Sequence, residues 1–320
     1  MESGAEDVAI YISTTKSDYR LGKAFVESIE QFTDRPLIYV LPDDDYPSDR
    51  MFGHPVWKPR DPRILALDRY YKKLRVFWGP AERFVYVDAD QIVLRDLRPF
   101  LDHLRTRDAP FFMASWASRL YPGWLAGDSE ARRRWAAGWV GPTDQLARFE
   151  PAFDPTAAYP FASGNWAASR NIFDQTVLLD EFARALEFHA RSGRPEPMSI
   201  SRDAVFNGDQ GFLNYMVWKH GVAVDWIPDF FWWGGLPESE WTCKQTPSPY
   251  TGLFIHWGGC PRPGPVPIPW STVPLAARWR QLYYTYCRKH GDWIGCAKDS
   301  ADFLALLGYQ SLSRLKRRLF

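Results

Sequence analysis

Two carboxylates stand two residues apart where an apolar run ends. Asp88 and Asp90 flank Ala89 and follow the apolar residues 84–87. A strand that ends in this way brings both side chains to one edge of a sheet, where their oxygens can converge on Mg²⁺ or Mn²⁺. Such a cation commonly bridges to phosphates. Paired acids also occur in solvated turns, so it is their position behind a buried strand that favours a metal site.

A histidine occupies a similar position later in the chain. His256 ends the apolar run 253–255 and precedes Gly258 and Gly259. An imidazole there can supply a third metal ligand, and glycines let backbone N–H groups approach a phosphate. A single histidine of this kind is more often structural. Together with the two acids, it is better explained as a ligand.

Two polar turns complete the set of candidate residues. The first places Asp209 and Gln210 at the start of an apolar helix. Asp209 can cap that helix, or the carboxylate can bind sugar hydroxyls while the amide lies beside the anomeric carbon. The second turn contains Ser163, which offers a hydroxyl, and Gly164, which permits close approach of a ligand to the backbone. In isolation, each turn favours the structural interpretation.

The elements that must position these residues alternate along the first third of the chain. Residues 8–12 and 37–41 have the pattern of buried strands, and residues 17–32 have the spacing of an amphipathic helix. This order predicts an α/β, Rossmann-like fold with a mostly parallel sheet flanked by helices. Ligands bind beyond the carboxyl ends of such strands. The polar residues at these ends are Thr14, Asp43, Asp44, Asp88 and Asp90.

The remainder of the chain predicts a second set of elements and one extension. Residues 111–160 are rich in Trp, Pro and Gly, which predicts a loop-rich insertion. We expect one domain over residues 1–270 and a helical extension over 271–320. Within it, residues 303–320 are basic and amphipathic, a pattern that suits a membrane surface or an ordinary terminal helix. The other predicted elements are helices at 171–190 and 209–220 and strands at 222–227 and 253–256.

Composition excludes several classes of protein. The chain has a hydrophobic content of 46% and a formal net charge of +1, so we expect a packed core and no nucleic-acid partner. Its four cysteines form no C-x-x-C pair, which favours reduced thiols. The acidic start lacks a secretory signal and no window is apolar enough to span a bilayer, so we expect a cytoplasmic protein. Sixteen tryptophans suit a cleft for sugars, whose C–H faces pack on flat rings.

Four motifs, taken in order, resemble one enzyme family. They are Y-x-[RK]-L at residues 71–74, D-x-D at 88–90, D-Q-x-x-L-N at 209–214, and H-x-x-G-x-x-K-P at 256–263, with Arg262 in place of the lysine. This series resembles the GT-A glycosyltransferases, and most nearly the retaining family that contains glycogenin and the lipopolysaccharide galactosyltransferases. The match runs along residues 8–263.

The resemblance implies an activity and a role for each candidate residue. Such enzymes move a sugar from a UDP-sugar to a hydroxyl, with retention of configuration, and no protein group is securely established as their nucleophile. The acceptor would be a glycan, a glycolipid or a small molecule. By this resemblance, Mn²⁺ or Mg²⁺ is held by Asp88, Asp90 and His256, and the diphosphate is met by Lys73, Gly259 and Arg262. Thr14 and Asp43 or Asp44 lie near the uracil and ribose. The donor sugar is held by Ser163, Gly164 and Asp209, and Gln210 lies beside the anomeric centre, so that Asp209 and Gln210 are the expected catalytic residues.

The chain departs from the family pattern around the sugar pocket. Ala162 replaces a common Asn, Gly211 replaces a common second Asp, and Gly264 stands where Trp is frequent. The donor sugar is therefore not predicted. A platform for the acceptor is expected from Trp232, Trp233, Trp241 and Trp257.

Two other functions remain open from the residues alone. A nucleotidyltransferase or sugar-phosphate activating enzyme also uses a parallel sheet, a metal and carboxylates. It usually begins with a Gly-rich phosphate loop, and residues 13–16 are not one. A non-catalytic sugar-binding protein would suit the aromatic content, but it would leave the acids, Gln210 and His256 unexplained.

Overall fold

The computed structural model describes most of the first 233 residues and two short pieces beyond them. The described residues are 7–16, 18–67, 69–115, 123, 126–159, 162–191, 205–228, 231–233, 252–256 and 297. The strands are β1 (Val8–Ser13), β2 (Ile38–Leu41), β3 (Arg50–Met51), β4 (His54–Pro55), β5 (Arg83–Asp88), β6 (Gln91–Val93), β7 (Phe111–Ser115), β8 (Asn165–Ser169), β9 (Val224–Pro228), β10 (Phe231–Trp233) and β11 (Phe254–His256). The helices are α1 (Tyr19–Phe32), α2 (Pro62–Leu65), α3 (Arg98–Thr106), α4 (Ser129–Trp139), α5 (Thr143–Phe149), α6 (Gln175–Arg191) and α7 (Gly208–Lys219), with 3₁₀ helices at Arg69–Trp78 and Pro155–Ala157.

A six-stranded sheet forms the centre of the molecule, in the order β2-β1-β5-β8-β7-β9. β1 runs parallel to both β2 and β5, and β7 runs parallel to β9. β8 is antiparallel to its two neighbours, β5 and β7. The predicted α/β fold with a mostly parallel sheet is therefore confirmed, with one reversed strand inserted at its middle.

Each face of the sheet is covered by its own hydrophobic core. Along β1, Ile10 belongs to the cluster that contains α1 and α3, whereas Tyr11 belongs to the cluster beneath the 3₁₀ helix Arg69–Trp78 and α7. This alternation follows from the period of two in a strand, and burial on both faces explains why the run is continuously apolar. On α1, Phe25 and Ile29 are fully buried, as the helical spacing predicts.

A second, three-stranded sheet has the order β10-β11-β6. β6 begins three residues after β5 ends and pairs antiparallel with β11, which places His256 opposite Gln91. The small sheet therefore carries a distant part of the sequence to the carboxyl end of β5.

Several elements differ from those expected. The segment 111–160, predicted to be rich in loops, contains β7, α4, α5 and a short 3₁₀ helix. Asp128 caps α4 by accepting from the backbone N–H groups of Glu130 and Ala131, so an aspartate in this segment marks a helix start that was not predicted. Tyr70, Leu74 and Phe77 recur with a spacing that predicts one face of a helix, and they lie in the 3₁₀ helix Arg69–Trp78. β6 and β8 were not predicted, because each is short and has no flanking pattern of its own.

The C-terminal part of the predictions lies mostly outside the described residues. The helical extension over 271–320 and its basic tail are not described, apart from Ala297. In the part of the chain that is described, no helix has the length and apolarity needed to cross a bilayer.

Candidate active site

Three predicted metal ligands meet at the carboxyl end of β5. Asp88 is the last residue of that strand, Asp90 follows it, and His256 arrives from β11. Ligand atoms of all three lie within 4.8 Å of one another. His256 Nε2 is 3.3 Å from Asp90 Oδ1. Burial acts to lower the pKa of His256, but the neighbouring Asp90 carboxylate outweighs it, so the pKa is raised.

The chemistry and the space of this group fit a divalent cation. Two carboxylates and one imidazole can take part of an octahedral shell and leave positions for water or phosphate oxygens. Gly164 lies against the group. A Cβ at that position would stand 2.4 Å from His256 Cε1 and 2.9 Å from Asp88 Oδ2, so a side chain would collide with two of the ligands. Glycine here keeps the imidazole and the carboxylate close together.

Two hydrogen bonds, one to the side chain and one from the backbone, hold Asp88 in place. The Tyr86 hydroxyl donates to Asp88 Oδ1 over 2.6 Å, and the Asp88 backbone N–H donates to the Gly164 carbonyl over 2.9 Å. Burial and the adjacent Asp88 charge raise the pKa of Tyr86 well above 10, so the hydroxyl keeps its proton. Tyr86 was not predicted as part of the site. The signal was present, because residues two apart in a strand point to the same face.

Lys73 links the metal group to the start of α7. Its Nζ is 2.9 Å from Asp209 Oδ2 and 3.3 Å from Asp88 Oδ1. It also donates to the Ser163 carbonyl over 3.3 Å. Burial acts to lower the pKa of Lys73, but the two carboxylates outweigh it and raise the pKa, so the ammonium is charged at neutral pH. Lys73 therefore supplies a fixed positive charge beside the three ligands.

The start of α7 faces the same place. Asp209 pairs with Lys73 rather than capping the helix, and Gln210 Oε1 accepts from the Ser163 backbone N–H over 3.3 Å. Gly208 adopts φ +63°, a conformation that glycine reaches without strain and that turns the chain into the helix. The turn at residues 163–164 and the turn at residues 209–210 are thus in contact with each other.

The opposite end of α7 is held by an ionic cluster. Lys219 Nζ lies 2.6 Å from Glu181 Oε1 on α6 and 3.1 Å from Glu150 Oε2 beside α5. Tyr215 Oη lies 3.1 Å from each of the two carboxylates. Both ends of α7 are therefore anchored, which fixes the direction in which Asp209 enters the site.

A buried amide pair supports the turn that carries Gly164. Gln91 Nε2 donates to the Gly164 carbonyl and to Asn165 Oδ1, each over 3.0 Å, and Asn165 Nδ2 donates back to Gln91 Oε1 over 2.6 Å. Both side chains are almost fully buried. Gln91 was not singled out from sequence, since nothing local distinguishes it from a surface glutamine.

The predicted nucleotide residues lie at the ends of β1 and β2. Thr14 is buried, and its N–H donates to the Leu41 carbonyl. Asp43 Oδ2 accepts from the Lys16 N–H over 2.8 Å. Asp44 instead accepts from the Arg75 guanidinium with both carboxylate oxygens, over 2.5 and 3.2 Å. This guanidinium lowers the pKa of the Asp44 carboxyl. Of the two acids, Asp44 is thus already engaged in holding the fold.

No family model matches the chain, and no curated protein matches it. Among solved structures, similarity is found to the galactosyltransferase LgtC in complex with donor and acceptor sugar analogues, with 13% identity, coverage of 87% of this chain and 95% of that chain, and a TM-score of 0.48. An active-site mutant of LgtC gives 14% identity, the same coverage and a TM-score of 0.48. Mouse xyloside xylosyltransferase 1, in its apo form, gives 10% identity, coverage of 78% and 97%, and a TM-score of 0.42.

Several predicted residues fall outside the described part of the chain. Gly259 and Arg262, expected near the diphosphate, are among them, as are Trp241 and Trp257. Trp232 and Trp233 belong to β10, where only the backbone is described, and β10 lies next to β11. The other predicted site residues belong to two groups: one around Asp88, and one at the ends of β1 and β2.

Proposed function

We propose that this chain is a metal-dependent glycosyltransferase that moves a sugar from a nucleotide-diphosphate sugar, with UDP as the nucleotide, to an acceptor hydroxyl. The observation that carries the proposal is the convergence of Asp88, Asp90 and His256 beside the buried Lys73–Asp209 pair. A site with three metal ligands and a fixed ammonium suits a diphosphate. A carboxylate and an amide next to it suit the hydroxyls of a sugar.

In this proposal, the three ligands hold Mn²⁺ or Mg²⁺. When bound, the cation would neutralise the negative charge that develops on the diphosphate leaving group. Lys73 adds positive charge on the side of α7, and Arg262 and Gly259 are proposed to contact the same diphosphate. An arginine at position 262 can bind a phosphate with two parallel hydrogen bonds, which a lysine cannot do.

The donor sugar is proposed to lie between the Ser163–Gly164 turn and the start of α7. Asp209 would accept hydrogen bonds from sugar hydroxyls. Gln210, already oriented by the Ser163 N–H, would lie beside the anomeric carbon. With retention, the bond from this carbon to the diphosphate breaks and the bond to the acceptor oxygen forms on the same face. The acceptor proton passes to the departing phosphate oxygen.

The remaining parts of the proposal concern the nucleotide, the acceptor and the location. Thr14 and Asp43 would bind the uracil and ribose, with Asp44 acting through its contact with Arg75. The acceptor would be a glycan, a glycolipid or a small molecule that packs against tryptophans near β10. A cytoplasmic location is proposed, with the basic tail of residues 303–320 touching the inner face of a membrane.

The test is a screen of UDP-, GDP- and dTDP-sugars for slow, metal-dependent hydrolysis. We expect one UDP-sugar to be hydrolysed with Mn²⁺ and not with EDTA, and Asp90→Asn to remove this activity. Asp102→Asn, a change at an exposed acid of α3, is the matched control and should retain it. Equal hydrolysis by wild type and Asp90→Asn would refute the metal assignment. Pyrophosphate release from a nucleoside triphosphate would identify a nucleotidyltransferase instead.

A further inference from the structure

Tyr86 is a buried residue of β5 that touches a metal ligand without being one. It has no exposed surface, and its ring stacks on Trp166 with 5.4 Å between centroids and 26° between planes. Its position is therefore fixed by packing. The hydroxyl ends 2.6 Å from Asp88 Oδ1.

The two oxygens of Asp88 have different surroundings. Oδ1 receives the Tyr86 hydroxyl, whereas Lys73 Nζ lies at similar distances from both oxygens, 3.3 Å from Oδ1 and 3.5 Å from Oδ2. Oδ2 lies on the side of His256, because a Cβ on Gly164 would be 2.9 Å from Oδ2 and 2.4 Å from the imidazole. One oxygen thus accepts the tyrosine hydroxyl, and the other is turned towards the imidazole; the lysine does not distinguish them.

We propose that Tyr86 is a positioning residue that makes Asp88 a ligand through Oδ2 alone, and that it thereby selects Mn²⁺ and Mg²⁺ over Ca²⁺. The inference rests on the metal site of the proposed function. Ca²⁺ takes more oxygen ligands and readily accepts both oxygens of one carboxylate, whereas Mg²⁺ requires a regular octahedron at shorter distances. A hydroxyl that occupies Oδ1 penalises the two-oxygen mode. Partners that hydrogen-bond a ligating carboxylate also fix its direction.

The chain offers a closely matched control for the deletion of this hydroxyl. Tyr11 on β1 is the register partner of Tyr86 and is equally buried. Its hydroxyl accepts from the Ala81 N–H over 3.3 Å, so it is engaged with the segment before β5 and not with Asp88. Tyr86→Phe and Tyr11→Phe each remove one buried hydroxyl and keep the ring, but only the first removes a contact with Asp88.

The experiment is calorimetric titration of Mn²⁺, Mg²⁺ and Ca²⁺ into the wild type and both variants, with and without UDP. Melting temperatures confirm that each protein is folded. For Tyr86→Phe we expect Mn²⁺ to bind about tenfold more weakly and Ca²⁺ to lose less, so that the Mn²⁺-to-Ca²⁺ preference falls. Tyr11→Phe should keep the preference of the wild type. An unchanged preference in Tyr86→Phe, or an equal loss for both cations, would overturn the proposal.

A second variant tests the assignment of Oδ2 independently of Tyr86. Gly164→Ala adds a methyl group that would stand too close to both Oδ2 and the imidazole, and we expect it to abolish binding of all three cations. Normal binding by Gly164→Ala would show that Oδ2 does not face the metal, and the proposal would fail even if Tyr86→Phe did not fold. A wild type that binds no Mn²⁺ with or without UDP would refute the metal site itself, and with it the proposed function. If the wild type binds Mn²⁺ and Tyr86→Phe has the same Mn²⁺-to-Ca²⁺ preference as the wild type, only the role of Tyr86 is refuted.

Discussion

Replacing Lys73 with methionine removes a buried cation that two carboxylates share. The Lys73 side chain is 8% exposed, and those of Asp209 and Asp88 are 11% and 29% exposed. Methionine keeps most of the apolar stem and removes only the charge. In the metal-free protein, Asp209 would then be left with a negative charge that little water can reach.

The expected cost follows from this burial. Removing one partner of a buried ion pair typically costs about 3–5 kcal/mol, because the other charge is left uncompensated. Asp88 is exposed enough to regain water, so we expect the lower end, about 3 kcal/mol. For a chain of this length, that corresponds to a fall of about 6 °C in melting temperature.

The assay is urea unfolding in EDTA, compared with Lys23→Met, a change at a partly exposed lysine of α1. The control should cost less than about 0.5 kcal/mol. Adding Asp209→Asn to Lys73→Met should restore part of the lost stability, because the uncompensated carboxylate is removed along with its partner. A cost below about 1 kcal/mol, or costs of the two changes that simply add, would contradict the reasoning that Lys73 is held by its charge.

Two further predictions concern Asp44 and Gln210. Asp44→Asn should lower the free energy of unfolding at pH 7 by about 1 kcal/mol. Since Arg75 lowers the pKa of Asp44 in the folded state, this stabilisation is present above pH about 4 and is lost as the pH falls through the folded pKa. Urea melts at pH 7 and pH 3 should show the difference between wild type and variant shrinking, and a constant difference would exclude the ion pair as its source. Gln210→Ala should lower kcat at least tenfold while UDP binding measured by calorimetry stays near normal; unchanged turnover would remove Gln210 from the mechanism.

The central strands and the acids that end them were predictable because their signals are local. β1, β2 and β5 are apolar runs closed by polar residues, and burial on both faces requires such runs. The structure also brings His256 to Asp90, as the order of the motifs had suggested. The position of β8 between β5 and β7 was not predictable, since its direction depends on pairing with strands far away in the sequence.

The contacts of individual polar side chains were the hardest to predict. Asp209 is a plausible helix cap in sequence, yet its partner is Lys73, which precedes it by 136 residues. Asp44 is likewise a plausible turn residue whose partner, Arg75, lies on another element. The ion-pair partner of each acid depends on which cation is buried next to it, and that is known only once the fold is assembled.

The antiparallel pairing of β6 with β11 determines the direction of the His256 side chain, and apolar residues help to set that pairing. A shift of β11 by one residue would turn its side chains to opposite faces, and His256 would point away from Asp90. The packing of Phe254 opposes that shift, because its ring lies 6.1 Å from the ring of Phe25 on α1. The imidazole therefore takes its direction from hydrophobic packing two residues away, and the register of a three-residue ladder determines whether the third ligand is there at all.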